Sequence, residues 1–177
     1  MRMLAVSDSH HDISALALVL RRFAAKVDLV VHLGDGVEDL QWAARSAKVS
    51  LPRVEGVRGN GDSDPDLWPR RLIGSGDRPI LLLHGHLEGV ADDVGRIVLA
   101  AEAVGAKLVL FGHTHRPFFE EYRGILALNP GSISRPRGRD HPTFAIIDVP
   151  DDPDRWFEVQ FYEVGTGFGK IREIDVA

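Results

Sequence analysis

Met3-Leu4-Ala5-Val6-Ser7-Asp8-Ser9-His10 decides the fold: four apolar residues run without a break into a carboxylate and an imidazole. A strand with one wet face alternates apolar and polar residues. An unbroken run instead reads as a strand covered on both faces, the habit of parallel strands lying between helices. The same arrangement recurs along the chain. Leu29 to Leu33 leads into Gly34-Asp35, and Val54 to Val57 into Gly59-Asn60-Gly61-Asp62. Ile80 to Leu83 leads into His84-Gly85-His86, and Leu108 to Phe111 into Gly112-His113-Thr114-His115. Each set of oxygen or nitrogen donors therefore falls just past a strand's carboxyl end, the edge at which open α/β sheets bind ligands.

Helical patterns lie between these runs. Asp12 is placed to cap a helix whose apolar positions, Ile13, Leu16, Ala17, Leu20 and Ala24, follow three- and four-residue spacing. Val37 to Ala47 predicts a second helix with Leu40, Ala43, Ala44 and Ala47 on one side. About Gly89 to Val104 predicts a third, striped by Val90, Val94, Ile97, Val98, Ala101 and Val104. Such alternation implies right-handed crossovers and a mainly parallel sheet. The last third changes character: Phe118 to Tyr122, Leu126 to Asn129, Thr143 to Val149 and Arg155 to Tyr162 are strand-like, with a strong turn signal at Pro150-Asp151-Asp152-Pro153-Asp154. They predict antiparallel strands forming a second sheet against the first. Residues 1–177 make one domain, within the roughly 100 to 200 residues typical of one. The tail from about 163 to 177, and Gly165 to Gly169 in particular, is expected to be mobile.

Composition narrows the chemistry. With 44% hydrophobic and 27% charged residues the chain is an ordinary soluble globular protein. It has no cysteine, which excludes disulfides, thiolate zinc sites and cysteine nucleophiles, so any metal must be held by His, Asp, Asn or Glu. The apolar stretch at the start is too short for a signal-peptide core and no run approaches a membrane span, so a cytoplasmic location without a membrane partner is expected. A formal charge of -5 argues against broad nucleic-acid binding through phosphate neutralisation. If the substrate is a phosphate, its attraction must be local, and bound dications would supply it.

Together the five donor segments describe a two-metal site. Two divalent cations about 3.5 to 4 Å apart can clamp a phosphoryl group, lower the pKa of a bridging water and stabilise a leaving oxygen. Asp35, alone after Gly34, is the natural bridging carboxylate. Mixed imidazole and carboxylate donors suit manganese, iron, nickel or zinc better than calcium. His113 and His115 lie two residues apart, so a turn could send them to different metals. Glycines at 34, 59, 85 and 112 permit tight turns and close backbone approach.

The order D-x-H, G-D, G-N-x-D, H-G-H and G-H-x-H, followed by Asn129-Pro130-Gly131-Ser132, resembles the calcineurin-like metallophosphoesterases, specifically their small single-domain phosphodiesterase branch. The resemblance covers nearly the whole chain; each motif alone is weak, and five in order are specific. It implies an α/β fold, a four-layer α/β/β/α sandwich with two mixed β-sheets flanked by helices. It implies two divalent transition-metal ions, Mn2+ foremost with Ni2+, Fe2+ or Zn2+ as alternatives. One would be held by Asp8, His10, Asp35 and His115, the other by Asp35, Asn60, His84 and His113. It implies hydrolysis of a small phosphodiester by a hydroxide bridging the two metals.

One position departs from the larger members of the superfamily: Gly61 stands where they carry a histidine that protonates the leaving group or binds phosphate. The small branch commonly lacks that histidine too. The general acid is left open among His86, His11 and Asp62, with Asp62 better suited to orienting a neighbouring ligand. Asn60, His86, Arg135 and Arg137 are the candidate substrate-binding residues, the arginines because guanidinium forks suit phosphate, although Arg135-Pro136-Arg137-Gly138-Arg139 also reads as a solvated loop. Two other function classes stand beside the diesterase. One is a non-catalytic metal-binding scaffold of the same fold, as in a eukaryotic retromer subunit that resembles this branch but has lost several ligands; here all seven positions are ligand-competent. The other is a phosphomonoesterase, disfavoured by size and by the absence of G-N-H. His32, inside an apolar run, reads as a packed core histidine. Trp42, Trp68 and Trp156 read as core or interface anchors, and a homo-oligomer is left open.

Overall fold

Met3 and Ala5 point one way from β1 (Arg2–Val6), Leu4 and Val6 point the other, and all four are buried. That is the physical meaning of the unbroken run: one face of the strand meets helices and the opposite face meets a second sheet. The computed structural model describes residues 1–74, 78–152, 154–165 and 170–176.

Two mixed sheets stack. The first contains β1, β2 (Leu29–His32), β3 (Arg53–Gly56), β9 (Thr143–Asp148), β10 (Glu158–Val164) and β11 (Ile171–Ile174), in the order β11-β10-β9-β1-β2-β3. Strands β1, β2 and β3 are parallel, and β9 joins β1 antiparallel, Arg2 opposite Asp148. The second sheet is β4-β5-β6-β8-β7, built from β4 (Arg70–Ile73), β5 (Ile80–Leu83), β6 (Leu108–Leu110), β7 (Pro117–Tyr122) and β8 (Ile125–Pro130). Between the sheets Met3, Ala5, Leu29, Val31 and Leu33 meet Ile80, Leu82, Leu108, Leu110, Leu126 and Leu128. Helices α1 (Ser14–Phe23) and α2 (Asp39–Ala47) cover Leu4, Val6, Val30 and Ile146 on the outer face of the first sheet. Helix α3 (Gly95–Ala103) covers Leu81, Leu83, Val109 and Ala127 on the outer face of the second. The result is a four-layer α/β/β/α sandwich with its donor-bearing loops along one edge. Among the described residues no helix is long and apolar enough to cross a membrane.

The structure corrects several expectations. The late strands do not form a sheet of their own: β7 and β8 complete the second sheet and β9 to β11 complete the first, so the five early runs are divided between the two. Helix α3 starts at Gly95 rather than near Gly89, because Gly89 sits at φ +65° in a turn that its carbonyl closes with the N–H groups of Asp92 and Asp93. Helix α2 starts at Asp39, after a turn closed by the Gly36 carbonyl. Asp12 is not the N-cap of α1; its carboxylate accepts the Ser14 N–H at 3.0 Å one residue ahead of it. Strand β10 begins at Glu158, since Arg155 is held in a turn by the Asp152 carbonyl. The expected mobile tail is partly ordered sheet: Val164 ends β10 and β11 pairs with it, while residues 166–169 lie outside the described residues. Trp42, Trp68 and Trp156 are exposed rather than core.

Candidate metal centre

Six of the candidate site residues share an unusual backbone. Asp8, His10, His11, Asp35, His113 and His115 all have positive φ, between 45° and 67°. Asp and His tolerate this left-handed region better than most side chains, but it still costs free energy, and such strain concentrates at functional sites. Its effect is geometric: each chain reverses sharply as it leaves its strand, turning consecutive donors into one space.

The donors converge there. Asp8 Oδ1 lies 3.3 Å from His115 Nε2, 3.9 Å from His10 Nε2 and 4.0 Å from His84 Nε2. Asp35 spans the same space, with Oδ1 3.5 Å from His84 Nε2 and Oδ2 3.8 Å from His10 Nε2. His10 Nε2 and His115 Nε2 are 3.1 Å apart. Two overlapping donor groups result, Asp8 with His10 and His115, and Asp8 with Asp35 and His84. The His113 ring stands 5.2 Å from that of His84, and His113 and Asn60 line the same cleft, which has a volume of about 760 Å³.

Two of the histidines are oriented through their outer nitrogens. His84 Nδ1 donates to the Leu33 carbonyl at 2.6 Å, and His115 Nδ1 to the Arg135 carbonyl at 2.7 Å, which turns both Nε2 atoms toward the centre. Burial lowers the pKa of His10, His86 and His113, keeping them neutral. Burial alone would raise the Asp8 carboxyl, yet the His115 and His84 rings beside it hold it below the usual range. The Asp8 carboxylate in turn raises His115.

Whether these residues fit a metal is tested by what they lack. Asp8 Oδ1 and His84 Nε2 are buried and have no hydrogen-bond partner among the described residues. An unsatisfied buried acceptor costs about 1 to 3 kcal/mol, more when charged, and two of them aimed at one point make sense when a cation lies between them.

The loops are held by bonds that spacing does not reveal. Asp62 accepts N–H groups from Asp35, Gly36 and Gly59 at 2.8, 2.7 and 2.8 Å. Burial would raise its pKa, but these three donors hold it low, so Asp62 carries no proton to give. Asp39, absent from the expected site, accepts Ser9 Oγ at 2.6 Å and the His11 N–H at 2.9 Å. Ser132 and Ser134 donate to the Asp8 carbonyl at 2.7 and 2.9 Å, and Asn129 Nδ2 to the Gly112 carbonyl at 2.7 Å. Gly34, at φ +97°, lets the second loop pass: a Cβ there would lie 2.6 Å from His84 Nδ1 and 2.8 Å from the Gly59 nitrogen.

The remaining candidates separate. His86 packs beside the donors, its ring 5.3 Å from His84 and 6.2 Å from His113. His11 points away, exposed, toward Glu38 and Asp39. Arg135 and Arg137 line the cleft, as does Arg116, which the sequence reading did not include. His32 is a core residue as expected, with Nε2 3.1 Å from Ser9 Oγ.

Comparison with known proteins agrees with this geometry. A family model described as the calcineurin-like phosphoesterase superfamily domain matches residues 1–152. A probable metallophosphoesterase of Bacillus subtilis, YsnB, is 36% identical over 163 residues, covering 92% of this chain and 91% of that protein. The phosphodiesterase YfcE of Escherichia coli K12 is 30% identical over 171 residues, covering 84% and 88%. Among solved structures, wild-type Vps29 of Entamoeba histolytica complexed with Zn2+ superposes with a TM-score of 0.77 at 22% identity, covering 99% of each chain, a likeness of fold.

Proposed function

The chain belongs to the calcineurin-like phosphoesterase superfamily and is a metal-dependent phosphoesterase, and from that premise we propose that it hydrolyses small phosphodiesters with two divalent transition-metal ions. The observation that carries the reading is the pair of buried, unpartnered donors, Asp8 Oδ1 and His84 Nε2, beside the His10, His113 and His115 imidazoles that line one cleft. Asp8, His10, Asp35 and His115 would hold one ion, and Asp35, Asn60, His84 and His113 the other. When bound, the ions supply Lewis-acid activation of water and neutralise charge on the phosphoryl group.

This chain's own residues do the rest. The Leu33 and Arg135 carbonyls fix the tautomers of His84 and His115, and Asp62 holds the Asp35 and Asn60 loops in register through backbone N–H groups. His86, beside His84 and His113, is our candidate to donate a hydrogen bond to the leaving oxygen or to a phosphate oxygen. Asp62 and His11 are poorer acids, one having no proton and the other standing outside the cleft. The likeness to YfcE, a phosphodiesterase, supports a diester substrate. Mn2+ is our first choice of metal from the donor set, with Zn2+ supported by the Vps29 complex.

The test is elemental analysis after saturation with manganese, with turnover measured on bis(4-nitrophenyl) phosphate and on 4-nitrophenyl phosphate. Two ions per chain and a clear preference for the diester are expected. At most one ion would overturn the binuclear centre, and a preference for the monoester would overturn the substrate class.

A further inference from the structure

The cleft carries charge that its metal donors do not explain. Arg116, Arg135 and Arg137 line it beside His10 and His115, and none of the three guanidiniums has a carboxylate or hydrogen-bond partner among the described residues. Several other arginines pair with carboxylates: Arg70 reaches Glu88 at 2.7 Å, Arg71 reaches Glu55 at 3.0 Å and Arg172 reaches Glu163 at 2.5 Å. The protein has a formal charge of -5, so acid is not in short supply. Three unpaired cations therefore gather on one wall.

Their backbones are fixed to the metal centre. The Arg135 N–H donates to Ser132 Oγ at 2.7 Å while its carbonyl takes the His115 Nδ1 proton, and the Arg137 N–H donates to the His115 carbonyl at 2.9 Å. The Arg116 N–H donates to Thr114 Oγ1 at 3.3 Å. Only the guanidiniums are left to adjust to a ligand. The same cleft has an apolar side made by Ala91, Val94 and Phe118. A volume of about 760 Å³ is that of a site for a ligand of many atoms, not for a bare ester group.

A diester carries one negative charge, and with Asp8, Asp35 and a hydroxide also negative it balances two dications. Guanidinium forks bind phosphate oxygens in pairs, so three more cations on the same wall call for a further anion. We propose that the substrate is a phosphodiester bearing a second phosphate group, which Arg116, Arg135 and Arg137 hold while its organic arm lies on the apolar side. This rests on the diesterase reading above. In the reaction one phosphorus–oxygen bond to an alcohol or phenol breaks as one to a water oxygen forms. One proton of that water goes to the leaving oxygen or to solvent, and the second phosphate is unchanged.

Calorimetric titration with thymidine 3′,5′-bisphosphate and thymidine 5′-monophosphate tests the site without turnover. The pair differs only in the second phosphate, and the bisphosphate should bind about tenfold more tightly or better, with manganese present or absent. Arg116→Gln combined with Arg137→Gln should remove most of that advantage while leaving the circular dichroism spectrum and Tm unchanged. Equal affinities, binding of neither nucleotide, or an advantage that survives in the double variant would overturn the proposal. The 5′-(4-nitrophenyl) esters of the same two nucleotides separate it from the reading beneath it. Equal hydrolysis of both sinks the second-phosphate site and leaves the diesterase standing. Hydrolysis of neither, with the calorimetric preference intact, sinks the diesterase and supports the anion site.

Discussion

Asp35 and His84 show what single residues contribute and how they can be tested. Asp35→Asn or His84→Ala should lower turnover by at least about a hundredfold, because water activation and charge neutralisation are lost together. The far-ultraviolet circular dichroism should stay native; near-native turnover in metal-controlled buffer would show that the assigned donors are wrong. His32 affects stability instead. Burial pushes its pKa down to about 4 from an ordinary value of 6.5, so between those values the unfolded chain binds a proton that the folded chain refuses. Its contribution is complete above pH 6.5 and is lost as pH falls toward 4, a total of roughly 3 kcal/mol. His32→Leu should flatten that part of the profile, read as urea midpoints at pH 7.5 and pH 5. An unchanged pH slope would refute the assignment. At this scale donor types were legible because a carboxylate or imidazole after an apolar run is unusual chemistry. The supports were not: Asp39, Ser132 and Ser134 act on backbone or side-chain groups far away in sequence, and no spacing encodes such bonds.

Elements were legible in proportion to how completely they are buried. Strand β5, with all four residues buried, was read to its boundaries, whereas β4 (Arg-Arg-Leu-Ile) and β11 (Ile-Arg-Glu-Ile), edge strands with exposed charged positions, left no signal. Helix starts were misplaced where a turn brings apolar residues onto the stripe without being helical, as Val90 does ahead of α3. Leu82, with no exposure between the sheets, should cost about 2 to 5 kcal/mol as Leu82→Ala, measured by denaturant unfolding. A loss below about 1 kcal/mol would mean that the two sheets close over the gap. The β2 turn is equally specific. Gly34→Ala should weaken metal binding by at least about tenfold, since its Cβ must displace His84 Nδ1 or the Gly59 backbone. Calorimetry showing unaltered affinity would mean that this loop moves freely.

Across the whole molecule the donors come from both sheets: Asp8, His10, Asp35 and Asn60 follow strands of the first, and His84, His113 and His115 follow strands of the second. A metal seated among them would fasten layer to layer. Saturating manganese at about 100 times Kd should therefore add about 2.7 kcal/mol of stability per site, seen as a rise in Tm that a chelator reverses. No shift on chelation would show that the folded state holds no ion. This division was illegible in the sequence, because a run buried on both faces looks the same whichever sheet it enters; only pairing distinguishes them. The order of the strands has a consequence for how the protein is made. Residues of the second sheet lie between β3 and β9, so the first sheet is interrupted in the chain by the entire second one. As the polypeptide leaves the ribosome, β1 must wait with one edge unpaired until Thr143–Asp148 has been synthesised. The nascent chain thus carries an exposed, apolar strand edge through most of its synthesis, the period when capture by a chaperone matters most.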